Sequence, residues 1–388
     1  MTHTHTPTSL SNGFKLIQGF KLSLLGLAAA SILAACGSGE TGQLVSNKAG
    51  ITKVKVMGDS LLDSGTFAGG GIRTFSVQDA ATQNMAEYVA VNFGVNSLCN
   101  VFVFTGTTFV ANPTAGCTNS AIGGARINNP ASVGGTASPQ SILTQLAAAG
   151  AAGHAASDLL IIDGGGNDAA DLVGAYLGGA ASFGAQLSTL ITPASTNPAV
   201  LGAAYMSKLA DNLFDAINTH ALGKGATHVA VINVPGITLT PRFQAVLGGI
   251  QASAGATARA QSEALFDSWV QAFNAQLAAR AAGNSKVAIV DLYSSFKDQV
   301  ANPAQYGFTN VTVPACPIVG VDSSGLPAYN FAACTATALS AMTPPAGATG
   351  GANWWKTYAF SDGFHPTPYG HKLAGELIGR ALAIAGWL

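Results

Sequence analysis

A short apolar run that stops at a glycine constrains this chain more than any other feature. Val54, Val56 and Met57 in Lys53-Val-Lys-Val-Met57 read as a buried strand, and Gly58-Asp59-Ser60 then breaks it with a sharp turn carrying one hydroxyl. Such a turn presents Ser60 at the carboxyl end of a strand, where open α/β sheets place their ligands. A serine stays an inert nucleophile until a base takes its proton, so the later sequence must supply that base.

The rest of the chain repeats the pattern. Asp158-Leu-Leu-Ile-Ile-Asp163 is an apolar run suited to a central parallel strand, and it empties into Gly164-Gly165-Gly166-Asn167-Asp168. Val229 to Ile232 and the stretch from Lys286 to Leu292 read as further strands. Helical stripes lie between them. The spacing predicts helices over 80–93 and 138–148, one marked by Leu209, Leu213 and Ile217, and a long one striped by Leu265, Trp269, Phe273 and Leu277, whose aromatics read as core. Residues 61–77 read as an exposed glycine-rich loop, 100–109 as a strand, and 302–360 as an irregular, proline-rich region. Between them, Ser120 to Arg126 forms a second glycine cluster, small enough for backbone to approach a ligand closely.

Five histidines lie beyond the N-terminal segment: His154, His220, His228, His365 and His371. His365 alone has a carboxylate at useful spacing, since Asp362-Gly-Phe-His365 fits one turn and an aspartate there can hold the imidazole in the tautomer a serine needs. His220 and His371 sit on apparent helices and read as surface residues.

Composition narrows partners and compartment. Only 9% of residues are charged, against roughly 25% in ordinary soluble proteins. A formal net charge of -1 gives no basic field for phosphate backbones, so no nucleic-acid partner is expected. Lys15 and Lys21 precede an apolar run from Leu22 to Leu33, a secretory signal too short for an ordinary spanning helix. Its end, Leu33-Ala34-Ala35-Cys36, resembles the bacterial lipobox, which implies a lipidated Cys36 and anchoring at a membrane. The outer membrane is expected because no aspartate follows the cysteine; a plain signal peptide and a secreted protein are the alternative. Residues 1–35 are then the signal, 36–50 a flexible tether and 51–388 one catalytic domain.

The four cysteines that remain suggest disulfides in an exported chain. Cys99 with Cys117 and Cys316 with Cys334 are each 18 positions apart and bracket loop-like segments, which favours this pairing of the three possible. Without a C-x-x-C pair or a close histidine, metal binding is the weaker reading.

Taken together, these residues resemble the GDSL, or SGNH, hydrolase family, in its lipase/phospholipase-esterase branch. Gly58-Asp-Ser-Leu61 matches the nucleophile block, Asn119-x-Ala-x-Gly-Gly-Ala the second, Gly166-Asn167-Asp168 the third and Asp362-Gly-x-His365-Pro-Thr the last. The resemblance implies a flavodoxin-like three-layer α/β/α sandwich with a central parallel sheet, and no cofactor or metal. It implies Ser60 as nucleophile, His365 as base and then acid, and Asp362 to orient His365. The backbone N–H groups of Ser60 and Gly124, with the amide of Asn167, would form the oxyanion hole. An acyl ester, of a lipid or similar, is the implied substrate. Acyl transfer to an alcohol and a non-catalytic binding lipoprotein on the same fold are the alternatives. Trp354, Trp355 and Tyr358 are expected to form part of an acyl-binding wall, or else to pack their loop down. Arg126, where the family often has threonine, would hold an anionic group of the substrate or pair with an acid such as Asp163.

Overall fold

The computed structural model describes residues 46–96 and 98–388, so the signal segment, Cys36 and most of the tether lie outside the described residues. In chain order the strands are β1 (Lys53–Met57), β2 (Phe102–Phe104), β3 (Phe109–Ala111), β4 (Asp158–Ile162), β5 (His228–Ile232), β6 (Val287–Val290), β7 (Ile318–Val321) and β8 (Pro327–Tyr329). The helices are α1 (Met85–Val91), α2 (Ile142–Gly150), α3 (Gly166–Leu177), α4 (Ala180–Ser188), α5 (Pro198–His220), α6 (Pro241–Ala281), α7 (Leu292–Ala301), α8 (Ala336–Ala341) and α9 (Pro368–Ile384). The α6 range is two helical segments that meet at Gly255, whose φ of +87° is not helical.

Four parallel strands, in the order β1-β4-β5-β6, form the central sheet. Because side chains alternate across a strand, each apolar run feeds two cores at once. Met57, Leu160, Ile162, Val229 and Val231 face a layer drawn from α2 to α6, in which Trp269, Phe273 and Leu277 are buried as their stripe predicts. Val54, Val56, Leu159, Ile161, Ala230 and Ile232 face the opposite layer, built on α1 and α9. This is the expected α/β/α sandwich.

Local capping moves several boundaries. The helix expected from residue 80 starts at Met85 because Asn84 caps it and Glu87 closes a capping box, an arrangement typically worth about 1 kcal/mol. Helix α2 starts at Ile142 on a Ser141 cap instead of at Ser138-Pro139. The single strand expected over 100–109 is a hairpin, folded back where the Thr105 N–H donates to the Thr108 carbonyl. The region 302–360 contains the β7–β8 hairpin, which is antiparallel and irregular between Ile318 and Gly320, and the short helix α8. Two expectations are overturned. Residues 61–77 are not an exposed loop, because Asp63, Thr66, Thr74 and Ser76 are buried in it. His371 is not at the surface: it is 0% exposed on the inner face of α9.

Both disulfides form as paired from their spacing, Cys99–Cys117 and Cys316–Cys334. Among the described residues no helix is long and apolar enough to cross a membrane.

Candidate active site

Ser60 sits at the carboxyl end of β1, and the turn that carries it is held from below. The Gly58 N–H donates to Gln145 Oε1 at 2.7 Å, and Gln145 Nε2 returns a bond to the Gly58 carbonyl at 3.1 Å. The Asp59 N–H donates to Asp163 Oδ1 at 2.9 Å. Asp163 reaches so far under the turn that a Cβ on residue 58 would stand 1.7 Å from that oxygen, so only glycine fits there.

The last block supplies the partner. His365 Nε2 lies 2.8 Å from Ser60 Oγ, across 305 positions of sequence, and His365 Nδ1 lies 3.0 Å from Asp362 Oδ2 and 3.1 Å from Oδ1. Asp362 Oδ1 also accepts the Phe364 N–H at 2.8 Å and the His365 N–H at 2.6 Å. Burial works to raise the Asp362 pKa, but the charge of His365 and these hydrogen bonds outweigh it and hold the carboxyl below its ordinary value. Three rings pack around the imidazole: Phe75 at 5.2 Å between centroids, Phe331 at 5.5 Å and Phe364 at 5.8 Å. Burial first, then the nearby charge of His365, pushes the His371 pKa down to about 3, so His371 is a neutral neighbour.

The second block runs alongside the free edge of β1. The Val56 N–H donates to the Thr118 carbonyl, the Ser120 N–H to the Val56 carbonyl and the Ile122 N–H to the Gly58 carbonyl, which delivers Gly123-Gly124 to the side of Ser60. Gly124 has φ +76°, a conformation that favours glycine. At Gly123 a Cβ would lie 2.2 Å from the Phe75 ring, so the ring lies directly across the glycine.

An accounting of the backbone donors singles out two of them. From 122 to 128 the N–H groups are taken in turn by Gly58 O, Asp63 Oδ2, Ile122 O (from Ala125), Gln140 O (from Arg126) and both oxygens of Asp168 (from Ile127 and Asn128), with Gly124 omitted. In the turn that carries Ser60, Gly58, Asp59, Leu61 and Leu62 are all bonded and Ser60 is omitted. Among the described residues the N–H groups of Ser60 and Gly124 are therefore free of internal partners.

Helix α3 clamps the same loop with its first two turns. Asn167 Nδ2 donates to the Ala125 carbonyl at 3.0 Å and, weakly, to Asp59 Oδ2 at 3.4 Å. Asp168, whose pKa burial lifts to about 6, accepts the Ile127 and Asn128 amides. Arg126 pairs with Asp171 at 2.5 and 3.0 Å and donates to the Gly124 carbonyl at 2.6 Å, so its partner is not Asp163. Burial and the adjacent Asp59 instead push Asp163 well above the usual carboxylate range.

Asp63, Gln145, Asp168, Asp171 and Phe75 all position this site and went unassigned in the sequence. Trp354, Trp355 and Tyr358 lie elsewhere. They pack on Val77, Leu339 and the Cys316–Cys334 bridge, with indole N–H bonds to the Leu339 carbonyl at 3.2 Å and Ser340 Oγ at 3.1 Å. That packing is the alternative to the acyl-wall expectation, and the rings beside His365 are the three phenylalanines. Among the described residues no group of three or more His, Cys, Asp or Glu side chains is placed to hold a metal ion.

No curated protein matches the chain. Residues 54–378, from the strand that carries Ser60 to the helix that follows His365, match the family described as GDSL-like Lipase/Acylhydrolase. With all four of its blocks assembled around one turn, the chain belongs to the GDSL-like lipase/acylhydrolase family.

Proposed function

We infer that this chain is a serine esterase that hydrolyses carboxylic acyl esters through an acyl-enzyme on Ser60. The observation that carries this reading is the continuous relay from Ser60 Oγ through His365 to Asp362, at 2.8 and 3.0 Å. His365 Nε2 takes the hydroxyl proton as Ser60 Oγ bonds to the ester carbonyl carbon. Asp362 fixes Nδ1 as the protonated nitrogen and stabilises the imidazolium. The carbonyl oxygen becomes negative between the free N–H groups of Ser60 and Gly124. Asn167 adds a third donor by exchanging its 3.4 Å contact with Asp59 for the oxyanion. Collapse expels the alcohol with the proton from His365, and water then releases the acid by the same steps in reverse order.

Two disulfides support an oxidising compartment and therefore an exported protein, in keeping with a lipid anchor at Cys36. Labelling by a fluorophosphonate, together with hydrolysis of aryl esters, tests the activity. The folded protein should label on Ser60, and Ser60→Ala should neither label nor hydrolyse. Wild-type protein that folds but does neither would refute the reading.

A further inference from the structure

The loop closed by Cys316–Cys334 carries a feature that the chemistry above does not use. Val313 is 50% exposed, Ile318 59%, Val319 63% and Val321 72%, the densest run of exposed large aliphatic residues among the described residues. All four residues of β7 are exposed, so this strand is uncovered on both faces, while β8 is half-buried. Single exposed aliphatics need no explanation, but a contiguous set marks a contact surface.

Three observations say what it contacts. Asp322 is the only charged residue in 302–355, and its carboxylate is already committed to Arg242 at 3.2 Å and to the Ser324 and Leu326 amides. A surface laid against the ribbon therefore strips water from no unpaired charge. The ribbon is also joined to the site. The Cys316 N–H donates to the Ser361 carbonyl and the Arg242 N–H to the Gly363 carbonyl, while Phe331, inside the same loop, packs on the His365 ring. Finally, the irregularity between Ile318 and Gly320 breaks a short strand, which disfavours pairing with another strand edge. Four aliphatic side chains also fall well short of the roughly 800 Å² per partner that a stable protein interface buries. A lipid surface has no such threshold, because its boundary accepts apolar groups a few ångströms deep without a matching shape.

The geometry points to the β7–β8 ribbon as a docking element for an uncharged lipid surface, seated beside the catalytic turn so that an ester drawn from that surface meets Ser60. This rests on the esterase reading above.

Insertion is read without activity. All four tryptophans, Trp269, Trp354, Trp355 and Trp387, are at most 5% exposed, so Val319→Trp in the full chain adds one exposed indole. Vesicles of phosphatidylcholine with brominated acyl chains should quench and blue-shift that added emission and leave the native emission nearly unchanged. Emission from the added indole that does not respond, at lipid concentrations that sediment the protein, overturns the proposal. So does burial of that indole in a dimer without lipid. In kinetics, Ile318→Ser/Val321→Ser should lower hydrolysis of a dispersed long-chain ester by about tenfold, from two lost apolar contacts. Hydrolysis of dissolved aryl acetate should be unchanged, because neither residue touches Ser60, His365 or Asp362. An equal loss on both substrates also overturns it. If the wild type hydrolyses neither ester, the esterase reading fails while the quenching result still decides docking.

Discussion

On the esterase reading, replacing Asn167 with alanine removes one proposed oxyanion donor and one strut from the loop beside it, and the structure allows the two effects to be separated. The strut is the 3.0 Å bond from Asn167 Nδ2 to the Ala125 carbonyl, a neutral bond worth about 1 kcal/mol of stability. Its loss leaves the loop in place: Asp168 still holds the Ile127 and Asn128 amides, Asp63 the Gly123 amide, and Arg126 the Gly124 carbonyl. A donor aimed at a developing oxyanion is worth more, about 2.7–4 kcal/mol, or roughly 100- to 1,000-fold in kcat. The catalytic effect should therefore dominate. Asn167→Ala should lose kcat on an aryl acetate by that factor with KM little changed, because the contact forms mainly in the transition state. Its melting temperature should fall by a few degrees at most. Fluorophosphonate labelling should slow yet persist, since Ser60, His365 and Asp362 are untouched. Full kcat in Asn167→Ala beside a dead Ser60→Ala would reduce Asn167 to a turn residue. A raised KM at constant kcat would mean that it binds the resting ester.

Other expectations follow from the surroundings. The Asp163 pKa is raised on folding, so the stability it contributes is complete below the unfolded value of about 4 and is lost as pH climbs toward the raised value. Asp163→Asn keeps an acceptor for the Asp59 N–H and should flatten that decline in urea melts between pH 5 and 9; an unchanged slope would show that Asp163 is ionised throughout. Reduction of Cys316–Cys334 should lower kcat before far-UV circular dichroism changes, because the bridge supports Ser361 and Phe331 and lies outside the four-stranded sheet; simultaneous loss of both signals would refute this order. Trp354→Ala should cost about 3–5 kcal/mol of stability and leave acyl chain-length preference unaltered, as expected of a buried packing residue. A shifted preference would restore the acyl-wall role.

What could be read from the chain beforehand follows the range of the interactions. The four strands of the central sheet, the long helices and the order of the four blocks are signalled within a few residues, so they emerge from periodicity and turns, whereas the β2–β3 and β7–β8 hairpins do not. The serine and histidine are 305 positions apart, but Asp362 and His365 share one turn, which makes their pairing local and readable. Asp63 is different. In Asp63-Ser-Gly it reads as a turn former, and its working partners Asn100 and Gly123 are 37 and 60 positions away. For His371 the signal was present: His371, Ala374, Ile378 and Leu382 fall on one buried stripe of α9, and a polar residue on that stripe is carried inward with it. Asp171 was also within reach, since it lies one turn beyond Asn167 and Asp168 on α3, the helix that faces Arg126.

The low charge of the chain acquires a meaning once its acids are located. Acidic side chains are rarely buried without partners, yet Asp59, Asp63, Asp163, Asp168 and Asp362 are all buried around the candidate site. Burial presses upward on the pKa of each one. Backbone amides oppose that pressure without cancelling it at Asp59 (Leu61), Asp63 (Gly65, Thr66 and Gly123), Asp163 (Asp59) and Asp168 (Ile127 and Asn128), while at Asp362 the charge of His365 outweighs burial first and the Phe364 and His365 amides add to it. Each such bond pins a loop at a defined point, and at Asp362, whose carboxyl is held below its ordinary pKa, the charged acceptor makes it roughly twice as strong as a neutral one. Lysines in these places would offer only donors and would compete with the amides for acceptors. Carboxyl groups accept the amides on either side of Ser60, from Asp59 and Leu61, and the Gly123 amide before Gly124, while the Ala125 amide goes to the Ile122 carbonyl; among the described residues this leaves Ser60 and Gly124 free. In the esterase reading, the buried acids thus hold the proposed oxyanion donors, the N–H groups of Ser60 and Gly124, in place before any ester arrives, so the reacting oxygen would meet dipoles that need no rearrangement.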